Sequence, residues 1–286
     1  MHAENGEILN FLRSECVKKG QLTPHYHYVS RPPFTEAEAV RRAIYLAGQT
    51  DTPLYIAHMT CREAIAELQK AKGTGQRVSG ETCTHYLTTT KEVLDNPDFN
   101  EAAKFVCSPA LRDREDCEAL WQALSDGLLT AVSSDHCGID VAELKQAGRN
   151  DFTQIPNGSP GAGDRLHMVW TEGVCTGKLT RQKFVDVIAT QPAKINGIYP
   201  RKGTLAVGSD ADVVIFDPNY EGTVHLADNP NGVDYNLYEG RRQSGRVETV
   251  LLRGQVVVEN AKFVGRYGQG KFIPANMYAS GYENRN

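Results

Sequence analysis

Pro53-Leu-Tyr-Ile-Ala-His-Met-Thr-Cys-Arg-Glu-Ala-Ile-Ala-Glu-Leu-Gln-Lys-Ala-Lys-Gly-Thr-Gly-Gln-Arg-Val-Ser-Gly-Glu-Thr-Cys83 sets the fold class. Pro53 to Ala57 is a short apolar run that predicts a strand. Thr60-x-x-Glu63 has the spacing of a capping box, so a helix should open there, run toward Lys72 and stop at Gly73. Gln76 to Cys83 then predicts a second strand. Two strands joined through a helix are parallel neighbours, because a tight turn reverses the chain and a crossover does not.

Working outward, the pattern repeats. Ile8, Leu9, Leu12 and Cys16 share one helical face, followed by Gly20 as a stop signal. Thr35-x-x-Glu38 offers another capping box before Val40, Ile44 and Ala47. Asp113 precedes an acidic first turn and a helix carrying Leu120, Trp121 and Leu124, and Leu129 to Ser133 predicts a third strand. The class is α/β, extending over residues 1–200. Beyond that the pattern changes. Ala211 to Phe216, Val247 to Leu252 and Gln255 to Val258 are β-branched runs, with Arg253-Gly254 as a turn, so residues 201–273 predict a small antiparallel β domain. Residues 274–286 show no periodicity and predict an extended or disordered tail.

Composition narrows the function. Across 286 residues, 31 Lys and Arg stand against 35 Asp and Glu, a net charge of −4. No basic face is indicated, so neither nucleic acid nor an anionic membrane surface is an expected partner. Apolar runs fall far short of the roughly 20 residues of a membrane-spanning helix. The cysteines number seven, at 16, 61, 83, 107, 117, 137 and 175, with no C-x-x-C pair, so neither a disulfide framework nor a zinc knuckle is expected. Met1-His-Ala-Glu-Asn-Gly-Glu7 lacks the basic and apolar regions of an export signal, and a cytoplasmic location is expected.

In parallel α/β folds the working side chains stand at the carboxyl ends of strands. That rule selects His58, which follows the first strand, and Asp135-His136, which follows the third. His2 precedes the first helix, where another strand end would lie. Imidazole nitrogen and carboxylate oxygen are ordinary zinc ligands. The same pattern also fits a hydrogen-bonded core histidine at 58 and a helix cap at 135. His25-Tyr-His27, next to Arg31-Pro-Pro33, reads as an irregular surface or interface loop. His85 follows the second strand and fits a pocket lining without touching a metal, and His167 and His225 read as structural. Gly158-Ser-Pro-Gly-Ala-Gly163 follows no strand and lacks a P-loop lysine, so it predicts a shaped loop rather than a phosphate cradle. Cys137 has no base nearby in sequence and reads as a structural thiol.

Several motifs together resemble the hydantoinase and dihydropyrimidinase branch of the amidohydrolase superfamily. They are His2-Ala-Glu-Asn-Gly6, Pro53-Leu-Tyr-Ile-Ala-His58, Cys107-Ser-Pro-Ala-Leu-Arg112, Ser134-Asp-His-Cys137 and Asp151-Phe-Thr-Gln-Ile-Pro-Asn-Gly158. Further along come Tyr199-Pro-Arg-Lys-Gly203, Gly208-Ser-Asp-Ala-Asp-Val-Val-Ile-Phe-Asp-Pro218, Tyr238-Glu-Gly240 and Gly268-Gln-Gly-Lys-Phe272. The resemblance implies the C-terminal part of a (β/α)8 metal-dependent hydrolase barrel followed by a small β-sandwich portion. It implies opening of cyclic amides, with two metals, usually zinc, bridged by hydroxide and a carboxylated lysine.

Carried over by motif, His2 and His58 would bind the more exposed metal, and Asp135 would bind the buried one and shuttle the proton. Ser108 and Asn157 would hold the amide edge of the ring through backbone groups. A small-molecule cyclic amide is the implied partner, and a homo-oligomer, tetrameric in relatives, the implied assembly. The family's H-x-H pair, bridging lysine and oxyanion tyrosine precede the part matched here. The resemblance therefore implies an N-terminally truncated barrel with open sheet edges. At most one incomplete zinc site is expected, with little activity. The alternative is a non-catalytic scaffold of the same fold, like the collapsin response mediators; retention of His2, His58 and Asp135 together counts against it.

Overall fold

The computed structural model describes residues 1–276. By contact density the chain forms two units. One comprises Met1–Arg165 with Val224–Gly240, the other Leu166–Thr223 with Arg241–Asn286 as far as it is described.

The first unit begins with helices α1 (Gly6–Lys18), α2 (His25–Val29) and α3 (Pro33–Gln49), then strand β1 (Leu54–Ile56), helix α4 (Arg62–Gly73) and strand β2 (Val78–Cys83). Helices α5 (Thr84–Thr88), α6 (Phe99–Ala103) and α7 (Arg114–Ser125) lead to strand β3 (Ala131–Ser133). The strands lie in the order β1-β2-β3, all parallel, with Leu54 opposite Val78 and Glu81 opposite Ala131. Met1 pairs with β1 as well: its amino group donates to Tyr55 O at 2.6 Å, and Ala57 N donates to Met1 O at 3.0 Å. His2 is thereby seated beside the carboxyl end of β1.

Side-chain periodicity explains the packing. Val40 and Ile44 of α3 and Ile65 and Leu68 of α4 are among the buried positions of those helices, and Ile56, Met59 and Leu129 are buried core residues as well. Full burial of a side chain such as Leu68 contributes about 1.5–3 kcal/mol. Gly80, in the middle of β2, has no space for a side chain: a Cβ there would lie 2.5 Å from Met59 Sδ and 3.1 Å from a Leu68 methyl.

Three local expectations are corrected. Helix α3 opens two residues early, with Pro33 in its first turn, and Thr35 Oγ1 donates back to Pro32 O at 2.8 Å. Glu38 is left free to accept from Asn5 Nδ2 at 2.6 Å, so no capping box forms. The Thr60 box also fails, because Thr60 gives both its amide and its hydroxyl to Glu36. The first free amide of α4 is satisfied by Asp116 of α7, which accepts from Arg62 N at 3.0 Å. A buried long-range acceptor has displaced the local one. His25 to Val29, expected as a loop, is a short helix.

In the second unit β4 (Val213–Thr223), β5 (Arg242–Leu252), β6 (Gln255–Glu259) and β7 (Lys262–Phe263) form one antiparallel sheet in sequence order. Arg253 and Gly254 both have positive φ, 50° and 77°, which suits the two-residue hairpin between β5 and β6. Trp170, Phe184 and Phe216 pack in this unit, with Trp170 4.9 Å from Phe216 and 5.3 Å from Phe184 between ring centroids. The expected sandwich portion is thus a single sheet among the described residues. Of the expected tail, residues 277–286 lie outside them.

Candidate active site

The parallel sheet brings the sequence-selected residues to one end. His58 and Asp135 each follow a strand by two residues, and both hold left-handed backbone, with φ of 37° and 43°. Such a conformation costs a non-glycine residue about 1–2 kcal/mol, and side chains held this way concentrate at functional sites. Here it turns each chain sharply off its strand end. Asp135 is exposed, whereas His58 is buried.

His2 and His58 meet directly, with Nδ1 of His2 3.1 Å from Nε2 of His58. His2 Nε2 lies 3.1 Å from Glu4 Oε2, and Arg31 approaches the same oxygen at 2.8 Å. With His2 protonated at Nε2 toward the carboxylate, its Nδ1 lone pair faces His58. Burial pushes the Glu4 carboxyl up, but the hydrogen bond from His2 and the charge of Arg31 outweigh it and hold the group below its ordinary value. His58 is lowered, first by burial and then by the neighbouring His2, with Asp135 opposing. Nδ1 of His58 and Oε1 of Glu4 are buried without hydrogen-bond partners.

This arrangement has the features of a pair of metal donors. Two nitrogens bound to one tetrahedral zinc lie about 3.3–3.4 Å apart, close to the separation here. A ligating imidazole also characteristically donates its other nitrogen's proton to a carboxylate, as His2 does to Glu4. Asp135 acts on His58 electrostatically. Among the described residues, however, no three His, Cys, Asp or Glu side chains gather closely enough to form a metal-holding group.

Ser108 and Asn157 come together from separate loops, Ser108 Oγ donating to Asn157 Oδ1 at 2.6 Å. The glycine loop after Asn157 is explained by packing. Gly158 has φ 129°, and a Cβ on it would lie 2.5 Å from that of Cys137. Gly161 N donates to His136 Nδ1 at 3.3 Å, so the loop faces an imidazole rather than a phosphate.

The remaining histidines separate by environment. His27 is buried and donates from Nε2 to Cys107 O at 2.8 Å, and burial pulls its pKa down to about 3. His85 is buried, and burial, then the nearby His58, pulls it down to about 3 as well, with Nε2 unpartnered. His25 pairs with Asp95 at 2.6 Å and His225 with Glu239 at 3.2 Å. Cys137 is raised by burial, away from nucleophilic character. The sequence reading passed over Glu4, although the Glu two residues after His2 was a visible signal. It also passed over Lys145.

Residues 24–257 match the model of the amidohydrolase family, and the chain belongs to that family. It is 47% identical to a D-hydantoinase of Ralstonia pickettii over 97% of its length, and 47% identical to a D-hydantoinase of Rhizobium radiobacter over the same share. The crystal structure of dihydropyrimidinase from Brevibacillus agri superposes with a TM-score of 0.95 at 44% identity, covering 97% of this chain. In all three comparisons the chain spans 60% of the relative's own length. The fold is accordingly that of part of a (β/α)8 hydrolase barrel with a separate antiparallel sheet.

Proposed function

We propose that the chain carries part of the active site of a hydrolase that opens cyclic amides of the hydantoin or dihydropyrimidine class. The observation that carries this reading is the His2–His58 pair, its two ring nitrogens 3.1 Å apart and its outer nitrogen held by Glu4. The names of the relatives support cyclic-amide hydrolysis over a non-catalytic scaffold.

His2 and His58 are the residues that would hold the more exposed of two divalent metals, and Asp135 would contribute to the buried one, zinc by the chemistry of imidazole and carboxylate donors. When bound, such a metal supplies hydroxide near neutral pH and stabilises the oxyanion of the attacked carbonyl. The protein's own groups do the rest. Glu4 fixes the tautomer and orientation of His2. Asp135, exposed at the end of β3, takes up a proton and returns it to the leaving ring nitrogen. Backbone groups of Ser108 and Asn157 hold the amide edge of the ring. The reading also includes a homo-oligomer, tetrameric as in the family, and a cytoplasmic location. No helix among the described residues is long and apolar enough to cross a membrane.

The test is metal analysis of the purified chain after exposure to zinc, alongside assays of hydantoin and dihydrouracil binding and opening. Zinc retained by the native chain and lost from His2→Ala and His58→Ala is the expected result. Undiminished zinc in the double variant would remove the metal reading, and a zinc-loaded chain that binds neither ring would remove the substrate reading.

A further inference from the structure

Lys145 has no exposed surface, although it lies in the polar stretch Asp140-Val-Ala-Glu-Leu-Lys-Gln146. Burying an ammonium group is costly unless its hydrogens find acceptors. Burial lowers this amine to about 8, with the thiols of Cys107 and Cys137 acting the other way. Its Nζ donates to two carbonyls, Val106 O and Pro156 O, each at 3.3 Å.

Those carbonyls belong to different loops. Val106 lies two residues before Ser108, and Pro156 immediately precedes Asn157. The loops also touch directly: Gly158 N donates to Val106 O at 2.9 Å, and Ser108 Oγ to Asn157 Oδ1 at 2.6 Å. His27 secures the next carbonyl, Cys107 O, at 2.8 Å. Cys137 N donates to Ser159 O at 3.0 Å, tying the second loop to the segment that carries Asp135. An apolar chain of similar volume would fill the space of Lys145 without the desolvation cost. What the amine adds is a shared donor for two loop carbonyls.

We propose that Lys145 is a positioning residue whose buried amine locks the loops carrying Ser108 and Asn157 in one register, setting the spacing of the groups that grip the amide edge of a ring. The ring-gripping role rests on the functional reading above; the clamp itself rests on the lysine's contacts.

Lys145→Met removes the donors at nearly constant volume, and Lys145→Gln keeps one amide on a shorter stem. Hydrogen exchange followed by mass spectrometry across the whole chain should show faster exchange in peptides covering residues 106–108 and 156–159. Helix α4 and strand β2 should stay at native rates. Hydantoin affinity should fall by about ten- to a hundredfold, the scale of misplaced binding groups, with any kcat changed less than KM. The proposal is overturned if both loops exchange as in the native chain, if exchange rises uniformly, or if neither variant folds, since each result would make the lysine inert or merely structural. Native chain that binds no ring, with paired loosening in the variants, would overturn the functional reading and uphold the clamp.

Discussion

His58 and Asp135 leave their strands in the same manner: each stands two residues past the end of a parallel strand, β1 and β3, with left-handed φ of 37° and 43°. One middle strand separates the two, so the sheet presents an imidazole and a carboxylate from neighbouring crossovers at one rim.

That backbone sorts substitutions at 135. Asparagine tolerates the left-handed region, so Asp135→Asn should unfold within about 0.5 kcal/mol of the native chain in urea. A β-branched residue does not, and Asp135→Val should lose about 1–2 kcal/mol. Where the metal-loaded chain opens hydantoin, Asp135→Asn should slow it by about a hundred- to ten-thousandfold, the usual contribution of a positioned acid–base group. Unchanged turnover would assign the proton to another residue.

Glu4 receives both His2 and Arg31 on its Oε2. Glu4→Gln keeps the shape but weakens the acceptor that orients His2. Zinc affinity, read by competition with a chromophoric chelator, should drop about ten- to a hundredfold, as for other carboxylates behind ligating histidines. An unaltered affinity would show that His2 needs no such support.

Acid should unfold the chain through its buried histidines. His27 and His85 stay neutral in the folded chain down to about pH 3, whereas unfolding exposes groups that protonate near the ordinary 6.5. Between those values the unfolded state binds more protons. The stabilisation is therefore complete above pH 6.5 and is lost as pH falls toward 3, by up to about 1.4 kcal/mol per pH unit for each histidine. His27→Gln retains a donor for Cys107 O and removes one titrating group. Its urea-unfolding free energy should fall less steeply with acid than that of the native chain.

Arg112 and Glu36 form a buried ion pair at 3.1 Å, shared with Thr60 and the carbonyl of Arg31. Arg112→Met strands the Glu36 carboxylate and should cost about 3–5 kcal/mol. Adding Glu36→Gln should restore part of that loss. A double variant as unstable as the sum of the single changes would show that the two groups are energetically independent.

The parallel strands and their helices were legible because apolar runs and glycine stops are local signals, as at Leu54 to Ile56 and Gly73. His58 and Asp135 followed from the rule that strand ends carry function. The start of α7 after Asp113 was legible too, but those of α3 and α4 were not. Thr35 and Thr60 have capping-box spacing, but Pro33 and the distant acceptors Glu36 and Asp116 decide the geometry. Lys145 was illegible for a related reason: a lysine between Leu144 and Gln146 looks like a solvated face until two remote carbonyls converge on it. His27 looked like an exposed loop residue because only tertiary packing brings Cys107 O to it.

Gly80 gives the sheet a hidden lever. It has no contact with a ring or an ion, yet even one added methyl would strike Met59, the residue next to His58, and Leu68 of the helix behind. A drift of that single codon to alanine would press on Met59 from deep within the central strand, so the seat of the neighbouring imidazole would be vulnerable to inheritance at a position remote from the rim where that imidazole stands.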